Sequence, residues 1–170
     1  MINQITGWLD KTIARGLILL MTLMVLTVVW QVFTRYLLNS PSSYTEELAT
    51  YLLIWVSLLG TVYALRLKAH LGIDFMTRKL QGTSQKFSHH FVCLAVILFA
   101  VLVFVYGGSR LVYITLKLNQ LSAAFKVPVG YVYTIIPISG VLLVFYSVLE
   151  IFQYGKVLDS ELDKPTIISE

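Results

Sequence analysis

The sequence predicts an all-α integral membrane protein: four transmembrane helices with short amphipathic interfacial helices. Three observations carry this. Of the 170 residues, 57% are hydrophobic and only 13% charged, with a mean hydropathy of +0.77. A soluble fold of this length could not bury so much apolar surface, because small domains keep a large polar exterior. Four runs, roughly 15–37, 46–67, 87–112 (extending as far as 118) and 128–152, each offer the 18 or more mostly apolar residues a helix needs to cross about 30 Å of hydrocarbon. The runs do not alternate in polarity, so they read as helices rather than barrel strands. The chain reads as one membrane domain over 1–170, with 153–170 a cytoplasmic tail. The net charge of +4 is not a nucleic-acid signal, since the basic residues stand between the apolar runs.

The first run, from Gly16 to Thr34, is longer than a signal-peptide core and no small-residue cleavage pattern follows, so it reads as retained. Ile5, Trp8, Leu9 and Ile13 fall on one face of a short amphipathic lead-in, with Trp8 suited to the headgroup boundary. Asn39, Ser40 and Pro41 form a turn. Thr45 is placed to cap the second helix, with Glu46 and Glu47 in its first turn, where carboxylates meet the positive helix end. Arg35 ends helix one on the same side, so an Arg35–glutamate pair across the hairpin would lower the cost of both charges.

Within helix two, Glu47, Thr50, Ile54, Ser57, Thr61 and Ala64 recur in steps of three and four, one face that is small or polar. Lipid makes no use of such a face, whereas a second helix does, because small residues let backbones approach. Trp55 lies at mid-span and is expected to pack against another helix. At the far end, Arg66 and Lys68 can snorkel. His70 and Asp74 would share a helical face, but Gly72 between them suggests a break. In "GIDFMTRKL", Phe75, Met76 and Leu80 share one face of a short interfacial helix. The third run holds the lone cysteine, Cys93, which reads as a small packing residue. Helix four opens on Pro128, a good first-turn residue. Tyr131 and Tyr133 follow near the interface, and Pro137 with Gly140 predicts a kink inside the span.

Orientation follows from the 13 lysines and arginines. Lys11, Arg15, Arg66, Lys68, Arg78, Lys79, Lys86, Lys156 and Lys164 fall on one side; Arg35, Arg110, Lys117 and Lys126 fall on the other. The richer side is expected in the cytoplasm, with both termini.

The chemistry of an enzyme or ion carrier is missing. His89 and His90 are adjacent and point about 100° apart on a helix, a poor chelating pair. Ser57 and Ser139 have no intramembrane histidine beside them, and no span holds a carboxylate at mid-depth. No catalytic, metal or substrate-binding residue, and no cofactor, is expected in this chain.

The stretch "QVFTRYLLNSPSSYTEELATYLLIWVSLLGTVYALRLKAHLGID" resembles the signature region of the DctQ-like small membrane subunit of tripartite ATP-independent periplasmic (TRAP) transporters. The resemblance rests on Arg35 and Tyr36, Pro41, Glu46 and Glu47, Trp55, Gly60, Ala64, Arg66, His70, Leu71 and Asp74, in that order, with Pro128, Gly130 and Pro137 in helix four. It implies a non-enzymatic scaffold in the bacterial inner membrane, surrounded by lipids. Its partners would be a large membrane subunit that holds the sodium and substrate sites and a periplasmic binding protein that delivers a carboxylate, of C4-dicarboxylate or sialic acid type. Arg35, Glu46, Glu47, Thr50, Trp55, Ser57, Thr61, Arg66, His70 and Asp74 then become structural or partner-interface residues. The other reading is the membrane anchor or cytochrome-like subunit of a respiratory enzyme, which a redox cofactor spectrum on copurification would distinguish.

Overall fold

In hydrocarbon a chain must satisfy its own backbone, and this one does so with helices. The computed structural model describes residues 2–38, 42–67 and 83–162, with side chains described for 6–38, 42–67 and 91–151. Helix α1 spans Ile2–Tyr36 and α2 spans Ser43–Arg66. The third span is α3 (Thr83–Phe99), a π-helical segment (Ala100–Gly107) and α4 (Gly108–Lys117) in succession. The fourth is α5 (Gly130–Tyr133) followed by α6 (Ile135–Leu162). Among the described residues, Thr6–Tyr36, Ser43–Arg66, Phe91–Lys117 and Gly130–Ile151 are long and apolar enough to cross a membrane. The end where α1 begins and α6 finishes is the terminal end; the end holding the 118–129 connection is the turn end.

Local chemistry shifts several boundaries from the sequence reading. The amphipathic lead-in is not a separate helix, because nothing breaks the backbone before Gly16 and α1 runs straight through it. Helix α2 begins at Ser43, so Thr45 lies inside it and donates its hydroxyl back to the Ser42 carbonyl at 2.9 Å instead of capping. The fourth span becomes helical at Gly130, since Pro128 is held in a backbone bridge with Leu121. Past residue 152, α6 continues to Leu162, through the first part of the expected tail. The interfacial helix expected around 74–80 lies outside the described residues, as do the turn residues Asn39, Ser40 and Pro41.

The kink expected from Pro137 is a break at Thr134. Proline has no N–H for the Tyr133 carbonyl and its ring crowds that carbonyl. The neighbouring bonds are long, with Thr134 N–H to Tyr131 and Ile138 N–H to Thr134 both at 3.4 Å. Gly140, expected to share in the kink, does something else. A Cβ there would lie 2.6 Å from Phe104 Cβ and 3.1 Å from the Val105 nitrogen. At Gly108 it would lie 2.7 Å from Ile136 Cγ2. These glycines let the third and fourth spans touch backbone to backbone.

The spans pack in a row: α1 on α2, α2 on α6, and α6 on the third span. Ile13, Leu17, Val62, Leu65, Ala100, Leu143 and Tyr146 form the buried seam, drawn from all four spans. The inner position of the fourth span shows in its burial: a third of its most apolar window is buried, against 6% for α1. Much of α1 is exposed leucine and valine, as lipid requires. Its threonines 12, 22 and 27 close their hydroxyls onto carbonyls four residues back.

Replacing Gly140 by Ala should destabilise the detergent-solubilised protein by about 1–3 kcal/mol through overpacking. Gly16 has nothing within 4 Å of an added Cβ, so Gly16→Ala should be neutral or stabilise by up to ~1 kcal/mol. Thermal unfolding of the two variants side by side measures the difference; equal Tm values would remove the close contact at Gly140.

Candidate functional site

The candidate surface is organised by α2, whose polar residues sit at its two ends and along one exposed face. At the turn end, Glu47 stands about one turn into the helix. Its carboxylate accepts a hydrogen bond from the Ala124 N–H at 2.7 Å and another from the Tyr51 hydroxyl. The Ser122 hydroxyl and the Phe125 amide lie beside the same carboxylate, and that amide donates to Ser122 Oγ at 3.1 Å. Ser122 itself is buried.

The captured connection is self-supporting. At the end of α4, Gln120 N–H bonds to Thr115 and Asn119 N–H to Leu116, the six-to-one and five-to-two pattern that closes a helix. Asn119 supplies the left-handed residue this pattern needs, with φ 46°. The Ser122–Val127 and Val129–Gln120 backbone bonds, both 2.9 Å, then close a short antiparallel turn. Tyr44 of α2 meets Phe125 edge-on at 5.5 Å.

The pair expected between Arg35 and a helix-two glutamate is not formed. Arg35 is exposed, Glu46 points outward, and Glu47 is engaged by the 122–125 turn. Backbone amides in a tight turn offer fixed donors, whereas a long arginine would lose side-chain entropy to reach the same oxygen. Sequence reasoning did not find the turn; Asn119, two residues after Lys117 ends α4, was the available signal.

At the terminal end, Arg66 Nε meets Asp10 Oδ2 at 3.0 Å. The Tyr146 hydroxyl donates to the other oxygen, Asp10 Oδ1, at 2.8 Å. The Arg66 guanidinium also lies over the Tyr146 ring, 5.9 Å from its centre. This node ties α1, α2 and α6 together, so Arg66 does more than snorkel. Asp10 and Tyr146 were not singled out in the sequence. Four residues apart, His70 and Asp74 lie outside the described residues, as do the side chains of His89 and His90.

Between these nodes, Trp55 donates its indole N–H to the Val132 carbonyl at 3.1 Å, the interhelical contact expected of it. On the predicted stripe, Glu47, Ile54 and Ala64 are partly covered, while Thr50, Ser57 and Thr61 are exposed within the chain. The Thr50 and Thr61 hydroxyls bond back to Glu46 and Ser57 carbonyls. Two apolar grooves border this face on either side of Phe104. One is lined by Leu53, Ile54, Ser57, Tyr133 and Ile136, the other by Thr61, Leu65, Phe91, Ala95, Phe99 and Leu143. Among the described residues, no three His, Cys, Asp or Glu side chains converge to hold a metal ion. Ser139 is buried with its hydroxyl on the Ile136 carbonyl.

Glu47 and Glu46 are chemically alike and differ in their contacts. Glu47→Gln should lower the denaturation midpoint clearly, because it weakens charge-assisted bonds to fixed donors. Glu46→Gln should stay within about 0.5 kcal/mol, as an exposed substitution does. Denaturation of each variant in one detergent compares them; equal losses would mean that the Ala124 contact contributes nothing beyond helix-end charge.

Residues 24–154 match the family model of the DctQ component of tripartite ATP-independent periplasmic transporters. The chain is similar to the sialic acid TRAP transporter small permease protein SiaQ of Vibrio cholerae, 29% identical over 145 residues that cover 82% of this chain and 79% of that protein. It is also similar to the sialic acid TRAP transporter permease protein SiaT of Haemophilus influenzae, 30% identical over 109 residues. That match covers 64% of this chain and 16% of SiaT. These relatives are transporter subunits and not enzymes, and four apolar spans make the chain a multi-pass membrane protein. The chain belongs to the DctQ component family of TRAP transporters.

Proposed function

We propose that this chain is the scaffold subunit of a sodium-driven TRAP importer: it holds a large permease subunit that carries the sodium and substrate sites, while a periplasmic binding protein delivers a carboxylate. The observation that carries the reading is the exposed Thr50–Ser57–Thr61 face of α2, flanked by apolar grooves, in a chain whose carboxylates stand only near the ends of its spans. A small, polar, outward face suits a partner helix better than lipid. Transport chemistry would need ionisable side chains at mid-depth. The polar nodes of α2 lie some 30 Å apart by helical rise, too far for one binding site. In SiaT, a region like this chain is a small part of a longer permease, which supports a permease as partner. The names of both relatives favour sialic acid within the carboxylate class, with a C4-dicarboxylate as the other candidate. Sodium is expected in the partner and not here.

Ser57→Trp and Thr61→Trp should each cut the permease recovered with the tagged chain, and the maximal uptake rate, by about tenfold or more if the face is packed, since an overpacked contact costs about 1–3 kcal/mol. Sodium dependence and apparent substrate affinity of the remaining transporter should not change. Intact assembly with a shifted sodium requirement would sink the scaffold reading.

The positively charged flanks support an inner-membrane orientation with both termini in the cytoplasm. In a Cys93→Ser background, Gln120→Cys should react with an impermeant thiol reagent from outside, and Ser84→Cys only after permeabilisation. The reverse accessibility would invert the topology.

A further inference from the structure

The third and fourth spans each depart from regular α-helix, and the departures face one another. In the third span, the π-helical turns from Ala100 to Gly107 give way to α4 at Gly108. In the fourth, the helix breaks at Thr134. Gly108 packs on Ile136 and Pro137, so the two discontinuities lie at one level of the molecule. Everything beyond them, from Gly108 to Thr134, is one continuous stretch of chain: α4, the 118–129 turn and α5. It is bonded to itself through the helix-closing pair at Asn119 and Gln120 and the Ser122–Val127 and Val129–Gln120 bonds. It is also packed on itself, since a Cβ at Gly130 would lie 2.6 Å from Leu116 Cγ.

At the hinge itself the Ser109 hydroxyl closes on the Val105 carbonyl and Ile136 packs on Gly108; the ties that hold the stretch laterally come from α2. Ala124 is bonded to Glu47 and Val132 to Trp55, and Phe125 touches Tyr44. All three partners belong to α2. The stretch is thus joined to the third and fourth spans at points where the regular helical ladder is already interrupted. It is fastened laterally by hydrogen-bonding side chains of α2, Glu47 and Trp55 foremost.

We propose that Gly108–Thr134 is a hinged cap, swinging on the π-helical turn and the Thr134 break, and that Glu47 and Trp55 latch it against α2. Tilting the cap disrupts no regular helix on either side and leaves its internal bonds intact. What it must release on α2 includes the carboxylate–amide and indole–carbonyl bonds, the Ser122 hydroxyl contact with Glu47 and the Tyr44–Phe125 contact. The exposed side chains of the turn, Leu121, Phe125 and Val127, move with it, so the surface offered at the turn end depends on the latch. The device is independent of the identity of the permease partner.

Spin-label distances test it on the full chain in lipid nanodiscs, in a Cys93→Ser background. One pair, Ala123→Cys with Leu94→Cys, reports the cap against the third span below the hinge. The other, Leu94→Cys with Leu19→Cys, reports the frame alone. With the latch intact, both pairs should give single narrow distributions. Glu47→Gln combined with Trp55→Phe should raise a second population in the cap pair at least about tenfold while the frame pair stays unchanged. No change in the cap pair, or a change in the frame pair, overturns the proposal. Should the double variant fail to fold, amide exchange by NMR on the unsubstituted chain decides. The Ala124 amide, which opening releases, should exchange at least about tenfold faster than those of Ser122 and Val129, which opening leaves bonded. Equal rates overturn the hinge.

Discussion

A carboxylate at the rim of a membrane helix must find fixed donors, and Glu47 finds them 77 residues away in the chain, in the 122–125 turn. That contact sets where the connection between the third and fourth spans meets α2. Because Ala124 is held there, the turn lies against the start of α2, Val132 comes within reach of Trp55, and the fourth span enters beside α2. The row of helices follows: α2 and α6 inside, α1 and the third span on the flanks. At the opposite end, Asp10, Arg66 and Tyr146 fix the same two inner helices and add α1. Hydrophobic burial alone would not choose this order, since lipid is as apolar as the helix faces and offers no driving force between them. Polar contacts at the two ends and glycine contacts at mid-depth supply the specificity.

How much of this the sequence carried depends on the range of the interaction. Spans, Trp55 packing and the disturbance from Pro137 were legible because length, hydropathy and a missing N–H act locally. The place of the break, Thr134, needed the ring–carbonyl crowding to be located one turn earlier. Arg35 looked like the natural neighbour of Glu47 because it lies across a short turn, yet backbone amides far along the chain were better placed. Asp10 gave no signal at all: an acidic residue among Lys11 and Arg15 looks like an ordinary membrane flank. Gly140 read as part of a kink in one dimension, and in three it proves, like Gly108, to be a contact point.

The arrangement also explains why the stripe on α2 stays open. With α1 on one side and α6 on the other, a face of α2 remains that neither covers. The third span packs on α6, and its Phe104 lines both of the grooves that remain beside α2. Thr50 and Thr61 turn their hydroxyls back onto their own helix, which keeps this polar surface small and smooth. A subunit that works by holding a partner needs such a surface at fixed depth and angle, and the two polar nodes of α2 provide the fixing.

The account stands on α2 being pinned at both ends so that its middle can carry a partner. Site-specific photocrosslinking in the assembled transporter measures this directly. A photoreactive residue placed in turn at positions 50, 54, 57 and 61 should capture the large permease subunit. The same residue at Leu19 or Val29, exposed on α1, should capture lipid and little protein. Capture of the permease from α1 with none from the α2 positions would contradict it.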